Sequence, residues 1–153
     1  MLKIVHKLLW LTLSSGLLVW ADQALKGWAW QTDPVVDRIN SAGGYLWLVH
    51  HANYGISLGI ELPYALSVGL MVVFLLFLLW IFFRPQNLSS MMLAGLIFSI
   101  AGGLSNLIDR INFGFVRDFV FLSSWLPIFN LADILVVSGV ALILWSIYRD
   151  GRS

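Results

Sequence analysis

The stretch LPYALSVGLMVVFLLFLLWIFF, residues 62–83, is closed by Arg84 and Pro85. It carries no charged side chain over a length that, at about 1.5 Å per helical residue, crosses roughly 30 Å of hydrocarbon. A cation followed by a helix breaker then ends it. A chain containing such a span has to be read in lipid from end to end. Three more apolar stretches have the length to cross, approximately Leu8–Leu25, Leu88–Ile108 and Pro127–Tyr148. Composition agrees, since the 153 residues are 59% hydrophobic and only 11% charged, where soluble domains carry about 25% charge. The expected architecture is an all-α integral membrane protein, a single membrane domain over residues 1–153, with residues 26–61 and 109–126 as its two outward connections.

The first apolar stretch follows Lys3 and Lys7, and Val19-Trp20-Ala21 loosely resembles a small-residue cleavage site. Its apolar core is long for a signal peptide, so it reads as a retained anchor. Lys3, Lys7, Arg84, Arg149 and Arg152 flank one side of the bilayer, and Lys26, Arg38, Arg110 and Arg117 the other. The basic residues near the two termini lie close to span ends, which favours both termini inside.

Cysteine is absent, which removes disulfides, thiolate-held metals and thiol nucleophiles together. His50 and His51 are adjacent and diverge on any regular element, so no metal site is expected, and nothing signals an organic cofactor. Nine scattered Lys and Arg with a net charge of +1 do not make the clustered basic surface that nucleic acid requires. In the outward connections, Tyr45–Val49 follows Gly43-Gly44, and Phe115–Val120 is its counterpart. Both are rich in branched and aromatic residues and read as strand candidates able to pair in a small sheet.

Four spans put the end of the first, the start of the second, the end of the third and the start of the fourth in one leaflet, whichever way the chain inserts. Those places hold Asp22 and Lys26, then Asn53 and Glu61, then Asn106, Asp109 and Arg110, and finally Asp118, Asn130 and Asp133. Asp133 is expected about two turns inside the fourth span, roughly 10 Å below Pro127. A carboxylate there costs roughly 2.5–3.5 kcal/mol on insertion scales and demands a polar neighbour or a function. Asn130 is three residues before it on the same face, and Asn106 stands in the same relation to Asp109.

A pair of carboxyl groups can hydrolyse an amide without metal or thiol. One, ionised, takes a proton from water while its protonated partner supports the carbonyl oxygen, and the two titrate as a unit. Asp118 and Asp133 are the candidates, because Ser123-Ser124-Trp125-Leu126-Pro127 can turn the chain back toward the bilayer. Structural readings compete elsewhere. Asp109 and Arg110 can be an interfacial ion pair, Asp22 and Lys26 an i,i+4 pair at a span end, and Asn53-Tyr54-Gly55 a turn with Gly55 at positive φ.

In order along the chain, Asp22-Gln23-Ala24-Leu25-Lys26, Asn53-Tyr54-Gly55, Gly102-Gly103-Leu104-Ser105-Asn106-Leu107-Ile108-Asp109-Arg110, Gly114-Phe115-Val116-Arg117-Asp118-Phe119 and Phe129-Asn130-Leu131-Ala132-Asp133 together resemble the motifs of the lipoprotein signal peptidase (signal peptidase II) family. The resemblance covers nearly the whole chain. It implies a four-helix enzyme of the bacterial cytoplasmic membrane, with a small extracytoplasmic β-cradle and the active site on that face. It further implies Asp118 and Asp133 as the catalytic dyad, cleaving a prolipoprotein just before its diacylglyceryl-modified cysteine, with membrane lipid as surroundings and the cyclic peptide globomycin as inhibitor. By motif position, Asn53, Asn106, Arg110 and Asn130 would hold substrate or support the dyad. Asp22 and Asp109 would organise the site, and Gly55 and Ala132 belong to the same motifs. A monomer suffices, since one chain holds every motif. Ile56-Ser57-Leu58 and Ser105 depart from the family's usual small residues and Phe, and from its Gly. Two rivals remain, a small transporter using Asp133 and Asp22 for ions or protons, and a silent relative that binds lipidated peptides without cutting them.

Overall fold

The computed structural model describes residues 2–32, 47–56, 60–84, 88–123 and 125–150. Tyr45, Leu46, the Gly43-Gly44 turn, Ser57, Leu58, Pro85, Ser124, Arg38 and Arg152 lie outside them, as do the side chains of Lys3 and Glu61. The elements in chain order are α1 (Leu2–Gln31), β1 (Trp47–Asn53), β2 (Gly55–Ile56), β3 (Ile60–Glu61), α2 (Tyr64–Phe83), α3 (Ser90–Phe113), β4 (Val116–Phe121) and α4 (Leu131–Asp150). All four helices are long and apolar enough to cross a membrane.

α3 is the axis of the bundle and packs against α1, α2 and α4. Two-thirds (67%) of its most apolar stretch is buried, against 17% for α1, 17% for α2 and 28% for α4, so the other three turn most of their surface to lipid. The apolar core is built around Leu11 of α1, Leu78 and Phe82 of α2, Leu96, Ile97 and Ile100 of α3, and Ile143 of α4. In hydrocarbon, apolar burial alone gives helices little reason to associate, and close backbone approach takes over. The α3–α4 seam shows it. A Cβ placed on Gly102 would stand 2.3 Å from the Ala132 carbonyl oxygen, and one on Gly139 would stand 2.4 Å from Ser99 Oγ. Only hydrogen fits at either position, and the Gly102 contact brings the middle of α3 against the start of α4.

α3 stops at Gly114, whose φ of 82° closes the helix in the left-handed conformation that glycine adopts without strain. The chain then enters β4, which pairs antiparallel with β1 and realises the small sheet expected of the two connections. β2 and β3 make a second two-stranded pair, Gly55 opposite Glu61. Several expected bounds shift. α1 runs past Leu25 to Gln31, α3 runs past Ile108 to Phe113, and α4 begins at Leu131 rather than Pro127. Asp133 therefore sits in the first turn of α4, not two turns inside it. Gly55 lies in a strand, and among the described residues the only glycine at positive φ is Gly114.

Candidate active site

β4 has β1 along one side and Phe129 along the other. Phe119 and Val120 donate their N–H groups to the Phe129 carbonyl at 3.1 and 2.8 Å, and Phe129 returns a bond to Val120 O at 3.0 Å. These bonds fix the next residue, Asn130, beside Asp118. Asn130 also starts α4 through a reciprocal cap. Its Oδ1 accepts from Asp133 N at 2.9 Å while its own N donates to Asp133 Oδ2 at 3.0 Å, a capping box that satisfies two end groups at once. The Nδ2 of the same side chain donates to Asp118 Oδ1 at 2.6 Å. One fully buried asparagine thus holds both carboxyl groups, one from a strand and one from a helix.

The remaining oxygens are engaged too. Asp118 Oδ2 accepts from Asn53 Nδ2 at 2.8 Å, and Asp133 Oδ1 accepts from Asn106 Nδ2 at 2.8 Å. Asp118 is fully buried. That burial, and after it the charge of Asp133, pushes its carboxyl up to about 7, against the opposing pull of the Asn53 and Asn130 amides and of Lys26.

A second layer orients these amides. Lys26, with 0% exposure, points its Nζ at Asp22 Oδ2 (2.7 Å), Asp109 Oδ2 (3.4 Å) and Asn106 Oδ1 (2.8 Å), one direction for each ammonium proton. Asn130 Nδ2 also reaches Asn106 Oδ1, at 3.2 Å. With its carbonyl taken by two donors, Asn106 must turn its NH₂ toward Asp133. Asp22 Oδ1 accepts from Ala132 N at 2.9 Å, one of the α4 first-turn N–H groups that have no partner inside the helix. Asp109 accepts from Arg117 at its backbone N (2.9 Å), Nε (3.3 Å) and Nη2 (2.8 Å). Two acids and two cations lie together, which is how charge is tolerated in a dry interior.

Of two simple pairings expected from sequence, one holds and one does not. Asp22 and Lys26 do pair at i,i+4, but not at a span end, because α1 continues beyond them and both are fully buried. Asp109 and Arg110 are not a pair with each other, since neighbours on a helix diverge by about 100°. Asp109 turns to Lys26 and Arg117, while Arg110 binds Tyr54 O at 3.0 Å, Ser67 Oγ at 3.1 Å and the carbonyl of Gly55. Arg110 thereby ties α3 to α2 and to the link after β1. Asn53-Tyr54-Gly55 is more than a turn, because Asn53 Oδ1 accepts from Gly55 N at 2.9 Å, which aims the amide of Asn53 at Asp118.

Four residues of this layer, Lys26 among them, had no role in the site assigned from sequence. Gln23 Nε2 donates to Ser105 O (3.0 Å), Ser105 Oγ (2.9 Å) and Asp109 Oδ1 (2.9 Å), and its Oε1 accepts from Arg117 Nη2 at 2.8 Å. Ser105 donates to Asp22 Oδ2 at 2.6 Å. For Gln23 the available signal was its place next to Asp22, whereas the partners of Ser105 are too distant in sequence to leave a local pattern, and Arg117 reaches Asp109 only because the helix ends at Gly114 between them. Asp118, Asp133, Asn53, Asn106 and Asn130 come together directly. Asp22, Asp109 and Ala132 stand behind them, and Arg110 and Gly55 stand at the strand side.

A family model described as signal peptidase (SPase) II matches residues 14–149. The lipoprotein signal peptidase of Bartonella tribocorum is 34% identical over 143 residues, covering 90% of this chain and 83% of that protein. That of Halothermothrix orenii is 35% identical over 139 residues, covering 89% and 93%. Among solved structures, a bacterial membrane enzyme determined by the in meso method at 2.3 Å superposes with a TM-score of 0.81 at 27% identity, covering 92% of this chain and 88% of its own. Another, at 1.9 Å, gives 0.78 with 92% and 93% covered.

Proposed function

Since this chain belongs to the signal peptidase II family, we propose that it is an aspartic endopeptidase that removes the signal peptide of a prolipoprotein, cutting before the diacylglyceryl-modified cysteine, with Asp118 and Asp133 as its catalytic pair. The observation that carries this reading is Asn130, whose side chain and backbone hold one carboxyl group each.

In the mechanism, a water lies between the two groups. The ionised carboxylate takes its proton as the water oxygen attacks the scissile carbonyl carbon, and the protonated partner donates to the carbonyl oxygen. The tetrahedral intermediate collapses by breaking the C–N bond, and the proton taken from water passes to the leaving nitrogen, which becomes the amino group of the lipidated cysteine. The shift of Asp118 to about 7 fits a pair holding one proton near neutrality. Four N–H donors, one per carboxyl oxygen, fix both groups before substrate arrives, so little reorganisation remains for the reaction itself. The acyl chains are held by lipid and helix surface while the extended peptide enters from the strand side, and this double anchoring makes attack effectively intramolecular.

The site faces the extracytoplasmic side of a bacterial membrane, both termini are cytoplasmic, and one chain suffices. Globomycin, as a peptide ligand of the same cleft, competes with substrate. A proton or ion pathway is disfavoured because the buried α3 residues deeper than this cluster are Leu96, Ile97, Ile100, Ala101, Ser99 and glycine, which offer no continuing relay. The test is purified protein with a diacylglyceryl-modified prolipoprotein peptide. Cleavage is expected, with its loss in Asp118→Asn and in Asp133→Asn. Full turnover in either variant removes that residue from the mechanism, and binding without cleavage by the unaltered protein sinks the peptidase reading.

A further inference from the structure

The register of the small sheet places His51 directly across from Asp118. Residues opposite one another in an antiparallel pair leave the same face, with Cβ atoms roughly 4.5–5.5 Å apart. Asn53, two residues along β1, shares that face, as its 2.8 Å bond to Asp118 shows. The irregularity between Leu48 and His51 decides which histidine stands there. Continued without it from Leu48↔Val120, the pairing would set His50 across from Asp118, because a one-residue slip exchanges the faces of a strand. The two imidazoles have different fates. His50 Nε2 lies 2.7 Å from Ala29 O, and its ring stacks on Trp30 with centroids 4.8 Å apart, so it is committed to α1. His51 is exposed, and among the described residues nothing hydrogen-bonds or pairs with its ring.

On the Asp118 face of β1, then, Asn53 is occupied by Asp118 and Gly55, and His51 is the polar side chain left open. An extended peptide drawn from water into a cleft presents main-chain carbonyls that need a donor. We propose that His51 is a substrate-binding residue, its imidazole N–H donating to a main-chain carbonyl of the peptide beside the scissile bond. The proposal rests on the reading of Asp118 as catalytic.

The test uses the full chain in proteoliposomes with a diacylglyceryl-modified prolipoprotein peptide. His51→Ala is expected to raise KM roughly three- to tenfold, the range of one neutral hydrogen bond, with kcat within about twofold. His51→Gln, which keeps a donor, is expected to recover most of the loss. A substrate with ether-linked chains, lacking the lipid's ester carbonyls, is expected to show the same KM ratio. An unchanged KM in His51→Ala, equal losses in the Ala and Gln variants, or a ratio that vanishes with the ether lipid overturns the assignment. Failure of the unaltered protein to cleave is a separate result that brings down the peptidase reading itself.

Discussion

Replacing Asp118 by Asn should make stability less sensitive to pH while abolishing cleavage, and the size of the effect follows from the site. Burial first, and the Asp133 charge second, raise this carboxyl from 3.8 to about 7. A raised carboxyl is favoured in its protonated form by the folded state. The stability it allows is therefore complete below pH 4, falls as pH climbs through 7, and levels off above that. Three pKa units at about 1.36 kcal/mol each give a swing on the order of 4 kcal/mol, which Asn cannot show. Asn brings its own penalty. Asp118 Oδ1 and Oδ2 both accept from amide NH₂ groups, so the new NH₂ must face one of those donors, at about 1–3 kcal/mol. The variant is expected to unfold more easily than the parent at pH 4 and less easily at pH 9, with the curves crossing between. Unfolding in detergent micelles, followed by tryptophan fluorescence over that range, reads the difference. In an Asp133→Asn background the swing should shrink but persist, since burial is the larger cause. A parent-minus-variant difference flat to within about 1 kcal/mol would refute the buried, proton-holding picture of Asp118.

Lys26→Met leaves Asp22 and Asp109 short of a buried cation and frees the carbonyl of Asn106. A loss of roughly 3–5 kcal/mol is expected in the same unfolding assay, and Lys26→Met with Asp22→Asn should recover part of it if the charge is what matters. Gly102→Val forces a side chain into the Ala132 carbonyl and parts α3 from α4. Cleavage is expected to drop at least 100-fold with the helices still inserted, as measured by turnover and protease accessibility in vesicles. Ser105→Gly removes the 2.6 Å bond to Asp22. It should cost about 1.5–3 kcal/mol of stability and leave kcat largely intact, because Lys26 and Ala132 N still hold Asp22.

The four spans were legible because a run of apolar residues as long as the hydrocarbon is thick has no other stable place, and charges at its ends mark where it stops. The gathering of polar residues in one leaflet was equally legible, since it follows from counting crossings. Their partners were not. Residues 22–31 look like an exit from the membrane because they hold Asp22, Gln23 and Lys26, yet the helix continues to Gln31, and Asp22 and Lys26 are fully buried and Gln23 half-buried against α3 and β4. Local sequence cannot show that a charge near a span end is covered by something distant. The depth of Asp133 was overestimated for a related reason. Pro127 begins the apolar stretch, but the Phe129 bridge to β4 and the Asn130–Asp133 cap delay the helix to Leu131.

Sequence alone therefore determined the solvent of this protein, its number of long apolar helices and the gathering of its polar residues at one end of them, because each depends on the length and order of apolar segments. Only the tertiary structure decided which oxygen meets which donor. Asp22 with Ala132, Lys26 with Asn106 and Asn53 with Asp118 are joined across 110, 80 and 65 positions. Each contact is set by the glycine seam, the strand register and the helix cap acting together, and none is written in the residues beside it.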